Sequence, residues 1–106
     1  MRMLLRASIP VDVGNAAVKA GTLGATIERI LADLKPEAAY FIADDNGQRS
    51  ASIVFDLQDT SQIPAVAEPW FLAFHAQVSI RPVMNAQDLA KAGPSFPKIV
   101  EQYGGS

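Results

Sequence analysis

Residues 38–57 read Ala-Ala-Tyr-Phe-Ile-Ala-Asp-Asp-Asn-Gly-Gln-Arg-Ser-Ala-Ser-Ile-Val-Phe-Asp-Leu, and this stretch decides the fold. Two apolar runs flank Asp44-Asp45-Asn46-Gly47. An Asn-Gly pair behind two acids supplies residues that tolerate positive φ, so the stretch predicts a hairpin, with strands at 38–43 and 48–57. A hairpin alone does not fold in water; it needs further strands and a cover for its apolar face.

Outward from the hairpin the chain supplies both. Arg2 to Ile9 alternates, with Met3, Leu5, Ala7 and Ile9 on one side and Leu4, Arg6 and Ser8 on the other, the period of a half-buried strand ended by Pro10. From Val13 to Lys35 the residues Ala16, Ala20, Leu23, Ile27, Ile30, Leu31 and Leu34 recur at helical spacing. This predicts one helix, capped by Asp12 or Asn15 and stopped at Lys35-Pro36, with Gly21 and Gly24 marking a local bend or a close approach to the sheet.

Downstream, Thr60 or Ser61 after Asp59 caps a second helix with Pro64 in its first turn. Its stripe is Ile63, Val66, Ala67, Trp70, Phe71 and Phe74; Pro69 inside it predicts a kink or a later start. A fourth strand spans Gln77 to Met84, and Pro82 places it at a sheet edge. Residues 85–92 suit two helical turns, and the tail from Gly93 carries Phe96, Ile99, Val100 and Tyr103, enough apolar surface to dock on its own domain or on a neighbour.

The order strand, helix, strand, strand, helix, strand predicts an α+β domain of the ferredoxin-like βαββαβ type. Its antiparallel sheet has four strands in the order 4-1-3-2 with two helices on one face. The whole chain, 1–106, is a single domain with its core in 2–84 and a helical turn and tail in 85–106. The second sheet face is left bare, and 49 % apolar residues against 19 % charged is apolar for so small a domain. Together they predict a homodimer.

Composition excludes several functions. Nine basic residues against eleven acidic are scattered without a run, so nucleic acid is not an expected partner. No apolar stretch approaches the ~20 residues of a membrane span, and the N-terminus lacks a signal-peptide cleavage site. The absence of cysteine fits a reducing, cytoplasmic setting and removes disulfides, thiolate metal sites and cysteine nucleophiles. The carboxylates follow no metal-loop spacing and no phosphate loop occurs, so no metal and no cofactor is assigned.

With these elements in place, the chain resembles the dimeric α/β-barrel superfamily. More narrowly, Pro36-Glu37-Ala38-Ala39-Tyr40-Phe41, Glu68-Pro69-Trp70-Phe71 and Pro82-Val83-Met84 with Asp88-Leu89 look like a bacterial family of small, uncharacterised barrel-type proteins. The resemblance implies two sheets packed face to face. It names no reaction, since members of the superfamily include cofactor-independent monooxygenases, muconolactone isomerases and haem-degrading monooxygenases.

Two groups of side chains are candidates for ligand contact. By strand parity Arg6 and Arg81 lie on the bare face, either as a guanidinium clamp for a carboxylate or as members of interface ion pairs, with Asp56 one strand further across. The second group is Trp70, Phe71 and the sole histidine, His75, on the second helix, with Tyr40 joining if its strand parity permits. In superfamily enzymes the ligand lies between this helix and the sheet, which would make His75 an acid, a base or an axial haem ligand; as a helix cap it has a plainer role. The haem-degrading set also needs an asparagine on the first strand, and that strand has none. Trp70 and its phenylalanine neighbours suit a buried stripe better than a cofactor box.

The expected function is binding of a small, partly apolar molecule by a homodimer. The alternatives are a cofactor-independent monooxygenase or isomerase acting on an aromatic or conjugated carbonyl, with His75 as the catalytic candidate, and a structural or regulatory dimerisation module.

Overall fold

The computed structural model describes residues 1–105. β1 (Arg2–Ile9), β2 (Ala38–Ala43), β3 (Arg49–Asp56) and β4 (Gln77–Pro82) form one sheet in the order β2-β3-β1-β4. That is 4-1-3-2 read from the other edge, and every neighbouring pair is antiparallel. Met3, Leu5, Ala7 and Ile9 of β1 and Ala51, Ile53 and Phe55 of β3 are buried on one face against Ile30, Trp70 and Phe74 of the helices. Nothing in the chain's first 84 residues covers the other face, where Arg6 stays exposed and Leu4, Ser52 and Val54 half-exposed.

The first crossover holds two helices instead of the single one expected: α1 (Val11–Ala20) and α2 (Leu23–Leu34). Gly21 adopts φ 73°, the Gly21 amide donates to the Val18 carbonyl at 3.0 Å and the Thr22 amide to the Ala17 carbonyl at 2.9 Å. This pair of bonds closes a helix end around a left-handed residue, which glycine adopts without a Cβ clash. The expected stripe is corrected in α1: Ala16 and Ala20 are exposed, and Val13 and Ala17 pack on the core beside Leu23, Ile27, Leu31 and Leu34 of α2. Gly24 has open space around it, so it marks no close approach. α1 begins directly behind Pro10, without a side-chain cap from Asp12 or Asn15; Asp12 sits inside the first turn, where a carboxylate favours the positive helix end.

The hairpin closes with the Asp44 amide on the Gln48 carbonyl at 2.9 Å, and Gly47 takes φ 74°. After a single 3₁₀ turn, Thr60–Gln62, α3 (Ile63–Phe74) starts and passes through Pro69 to its end without a delayed start. Neither Thr60 nor Ser61 caps α3: Gln62 stands at the cap position without a side-chain bond to the helix, and its Oε1 accepts from the Gln58 and Asp59 amides at 3.1 and 3.2 Å, closing the preceding 3₁₀ turn. Ala67, Trp70 and Phe74 are the buried stripe; Ile63 and Phe71 turn outward.

α4 (Ala86–Ala92) and α5 (Phe96–Tyr103) follow β4, and no residue of α5 is buried on its own domain, which leaves a neighbour as the other branch of the expectation for the tail. Among the described residues no helix is long and apolar enough to cross a membrane, and no cluster of His, Asp and Glu is placed to hold a metal.

Candidate functional site

The sheet separates the six candidate residues into groups that do not meet. Strand register settles the parity of β2: Tyr40 pairs with Ser52 and Ile42 with Ser50, on the face away from the helices. Ser79, Arg6, Ser52 and Tyr40 form one row across that open face. Arg81 lies one row away, opposite Leu4, so the two arginines are diagonal neighbours, and neither has a carboxylate within ion-pair distance among the described residues. Asp56 instead takes the N-terminal ammonium at 2.7 Å.

The α3 group lies on the opposite face. Trp70 is fully buried and its ring stands 6.0 Å from that of Phe74, tilted by 39°. Phe71 is half-exposed beside it. His75 is exposed at the end of α3 with φ 50°, its amide on the Phe71 carbonyl at 3.0 Å, so it is the helix's closing residue. Tyr40 and His75 therefore cannot serve one bound ring from the same side. A left-handed non-glycine residue is strained, so His75→Gly is expected to stabilise the fold by about 0.5–1 kcal/mol, read as a raised midpoint in urea.

A recess of about 420 Å³ opens on the helix side under the β2 edge. Leu23 and Ile27 of α2, Phe41 and Ala43 of β2, and Ala51 and Trp70 form most of its wall. The lining is apolar save for Arg49 and Ser50. Arg49 occupies an inward parity position on β3, opposite Ala43, and its Nη2 donates to Asn15 Oδ1 at 3.1 Å. No carboxylate pairs with it among the described residues. Gly14 makes room for the guanidinium: a Cβ there would stand 2.6 Å from Arg49 Nη1. Trp70 Nε1 is a buried donor with no acceptor among the described residues.

Arg49 and Gly14 went unnoticed in the sequence. The available signal was parity, since Arg49 shares its side of the strand with Ala51, Ile53 and Phe55, and a lone cation on the core side marks a place where something polar is met.

At the hairpin end of the open face, Asp44 Oδ2 accepts from Ser50 Oγ at 2.5 Å and Ser8 Oγ at 3.1 Å, and Oδ1 accepts from the Gln48 and Asn46 amides at 3.0 and 2.9 Å. The Ser50 hydroxyl first, then the Gln48 amide, favour the anion and lower the Asp44 pKa from 3.8 to about 2. A carboxylate depressed in the folded state contributes stability above its unfolded pKa and loses it as pH falls toward the folded one. Stability is therefore expected to drop between pH 3.8 and about 2, and Asp44→Asn to flatten that part of an acid titration followed by circular dichroism. These contacts tie the turn to β1 and β3 and leave Asp44 no free lone pair aimed at chemistry.

No protein-family model and no curated protein matches the chain. Among solved structures it superposes on a formyltetrahydrofolate deformylase from Pseudomonas putida KT2440 with a TM-score of 0.50 and 16 % identity, covering 78 % of this chain. The fold is ferredoxin-like. This ferredoxin-like chain spans only 29 % of the deformylase, and at that identity the likeness is one of fold. The fold hosts many functions, so function has to be argued from the recess and the faces around it.

Proposed function

We propose that this ferredoxin-like domain is a homodimeric binding protein for a small, partly apolar molecule with an anionic head group, received in the recess under the β2 edge. The observation that carries the reading is an arginine with no carboxylate partner among the described residues, at the edge of a largely apolar recess walled by Trp70. The recess falls within the ~300–1,000 Å³ usual for ligand sites, which are mostly apolar with a few placed polar groups. A guanidinium presents a donor fork that matches a carboxylate, and Asn15 uses only one of its donors here.

The homodimer reading is supported by the sheet face that the chain leaves uncovered, and it agrees with the two-sheet barrel implied by the resemblance. A chain without cysteine is compatible with a reducing compartment such as the cytoplasm. No set of groups converges as acid, base or nucleophile in the recess, so binding without turnover is the reading. Trp70 is the only tryptophan and stands in the recess wall, which gives a built-in reporter. Titration with decanoate is expected to change Trp70 fluorescence saturably, with one site per chain. Decanol, apolar but uncharged, is expected to bind more weakly.

A further inference from the structure

The four-stranded sheet has two edges, and they are guarded differently. β4, at one edge, carries Arg81 and ends in Pro82, residues that discourage a further strand. β2, at the other, reads Ala-Ala-Tyr-Phe-Ile-Ala over 38–43, without a charge, a proline or a glycine. Tyr40, Phe41 and Ile42 are 65, 51 and 46 % exposed there. Among the described residues no strand pairs with the outer side of β2. An apolar, unpaired edge of this kind is a template for another strand.

The backbone of β2 sets what that strand must be. The Asp44 amide donates inward to the Gln48 carbonyl at 2.9 Å, closing the hairpin. Inward and outward groups alternate along an antiparallel strand, so Ala38, Tyr40 and Ile42 turn theirs to β3, while Ala39, Phe41 and Ala43 hold amides and carbonyls out to the free edge. The Glu37 amide turns inward to the Val54 carbonyl at 2.8 Å and bounds the free stretch on its other side. The outward residues are evenly spaced about Phe41, so the edge is its own complement under a two-fold axis at that residue. An antiparallel second β2 then exchanges backbone bonds at Phe41 with Phe41 and at Ala39 with Ala43. Such an axis stands perpendicular to the sheet and keeps each face on its own side. Tyr40 meets the second copy's Ile42 on the open face, an aromatic and β-branched pair, and the two Phe41 rings meet on the helix face between small alanines. Of the flanking charges, Glu37 is held by Arg2 at 2.9 Å and Asp44 by the hydroxyls and amides around its turn, which leaves Asp45 at each end facing an already neutralised pair.

We infer that β2 of one copy pairs antiparallel with β2 of a second copy about a two-fold axis at Phe41, doubling the four-stranded sheet to eight strands. The contact closes on two chains, because it occupies the β2 edge of both and leaves only the guarded β4 edges. It is separate from the open face invoked in the homodimer reading and does not rest on it. A chain that uses both surfaces assembles as a tetramer, two eight-stranded sheets face to face.

The test uses the full chain, which has no cysteine of its own. Phe41→Cys is expected to join two copies under mild oxidation, since the Cα atoms of a hydrogen-bonded antiparallel pair stand ~5.5 Å apart, within disulfide reach. Gln77→Cys, on the β4 edge, is expected not to. Phe41→Lys and Phe41→Glu each set like charges directly opposite one another and remove the ring contact. Each is expected to raise the dissociation constant of the edge contact at least about tenfold in sedimentation. An equimolar mixture sets Lys against Glu across the axis and is expected to recover most of that loss, a recovery that requires position 41 to face itself. Position 41 is half-exposed, so circular dichroism confirms that each variant folds; because Phe41 also lines the recess, the readout is assembly and not ligand binding. A tetrameric parent that falls to a dimer in the Lys and Glu variants is the expected result. A dimeric parent whose variants are monomers upholds the edge pairing and overturns the open-face contact. Parent and variants of equal mass, no covalent pair from Phe41→Cys, or a mixture that recovers nothing overturns the edge pairing, and a monomeric parent overturns the homodimer reading with it. A parent that grows without limit as its concentration rises overturns the two-fold register.

Discussion

Trp70→Ala is expected to cost about 3–5 kcal/mol of unfolding free energy, enough to leave a domain of this size marginal. The ring is fully buried and packs against Phe74, between the helices and the β1–β3 centre of the sheet. Its removal opens a cavity that the paired strands around it cannot collapse to fill. Trp70→Phe keeps an aromatic ring and deletes a donor that no acceptor among the described residues meets, so its cost is expected to be less than half as large. Urea unfolding followed by far-ultraviolet circular dichroism reads both. Equal costs would mean that the indole N–H is satisfied or that the ring is not packed as described.

The second large effect concerns the recess. Arg49→Gln removes the guanidinium but keeps most of the stem, and is expected to weaken decanoate binding at least about tenfold, the low end for a charge-assisted hydrogen bond at a half-exposed site. Decanol, which has no anion to offer, is expected to bind this variant as it binds the parent. Ala43→Phe places a ring across the recess from the exposed edge and is expected to abolish binding of both, with little change in stability. Gly14→Ala displaces the guanidinium, since the added Cβ meets Arg49 Nη1, and belongs with Arg49→Gln in selectivity. The pattern across the three variants separates an anion-selective recess from general adhesion to apolar surface.

The sheet was legible in the residues because alternation, Asn46-Gly47 and Pro10 are local signals and the topology follows from element order. The α1–α2 break was not, because Ala16 and Ala20 complete a continuous helical period in the sequence although both are exposed in α1; only Gly21 records the stop. His75 as a closing residue was legible from its place at the end of the stripe, but its left-handed backbone was not, since position 75 carries a side chain where glycine is usual. Of the candidate site residues, Arg6 and Arg81 were read from parity and do share a face, which Tyr40, whose parity the sequence left open, also joins; parity cannot say whether that face meets water or another chain. The recess depends on how α2 and α3 sit over the small residues Ala43 and Ala51, a tertiary matter that no local pattern encodes.

Fluorescence of Trp70 during titration with decanoate, in the parent chain and in Ala43→Phe, tests the proposed binding role most directly. A saturable change at one equivalent per chain in the parent, absent from the Ala43→Phe variant, is the result expected. No saturable change in the parent, or an identical one in both proteins, would contradict it.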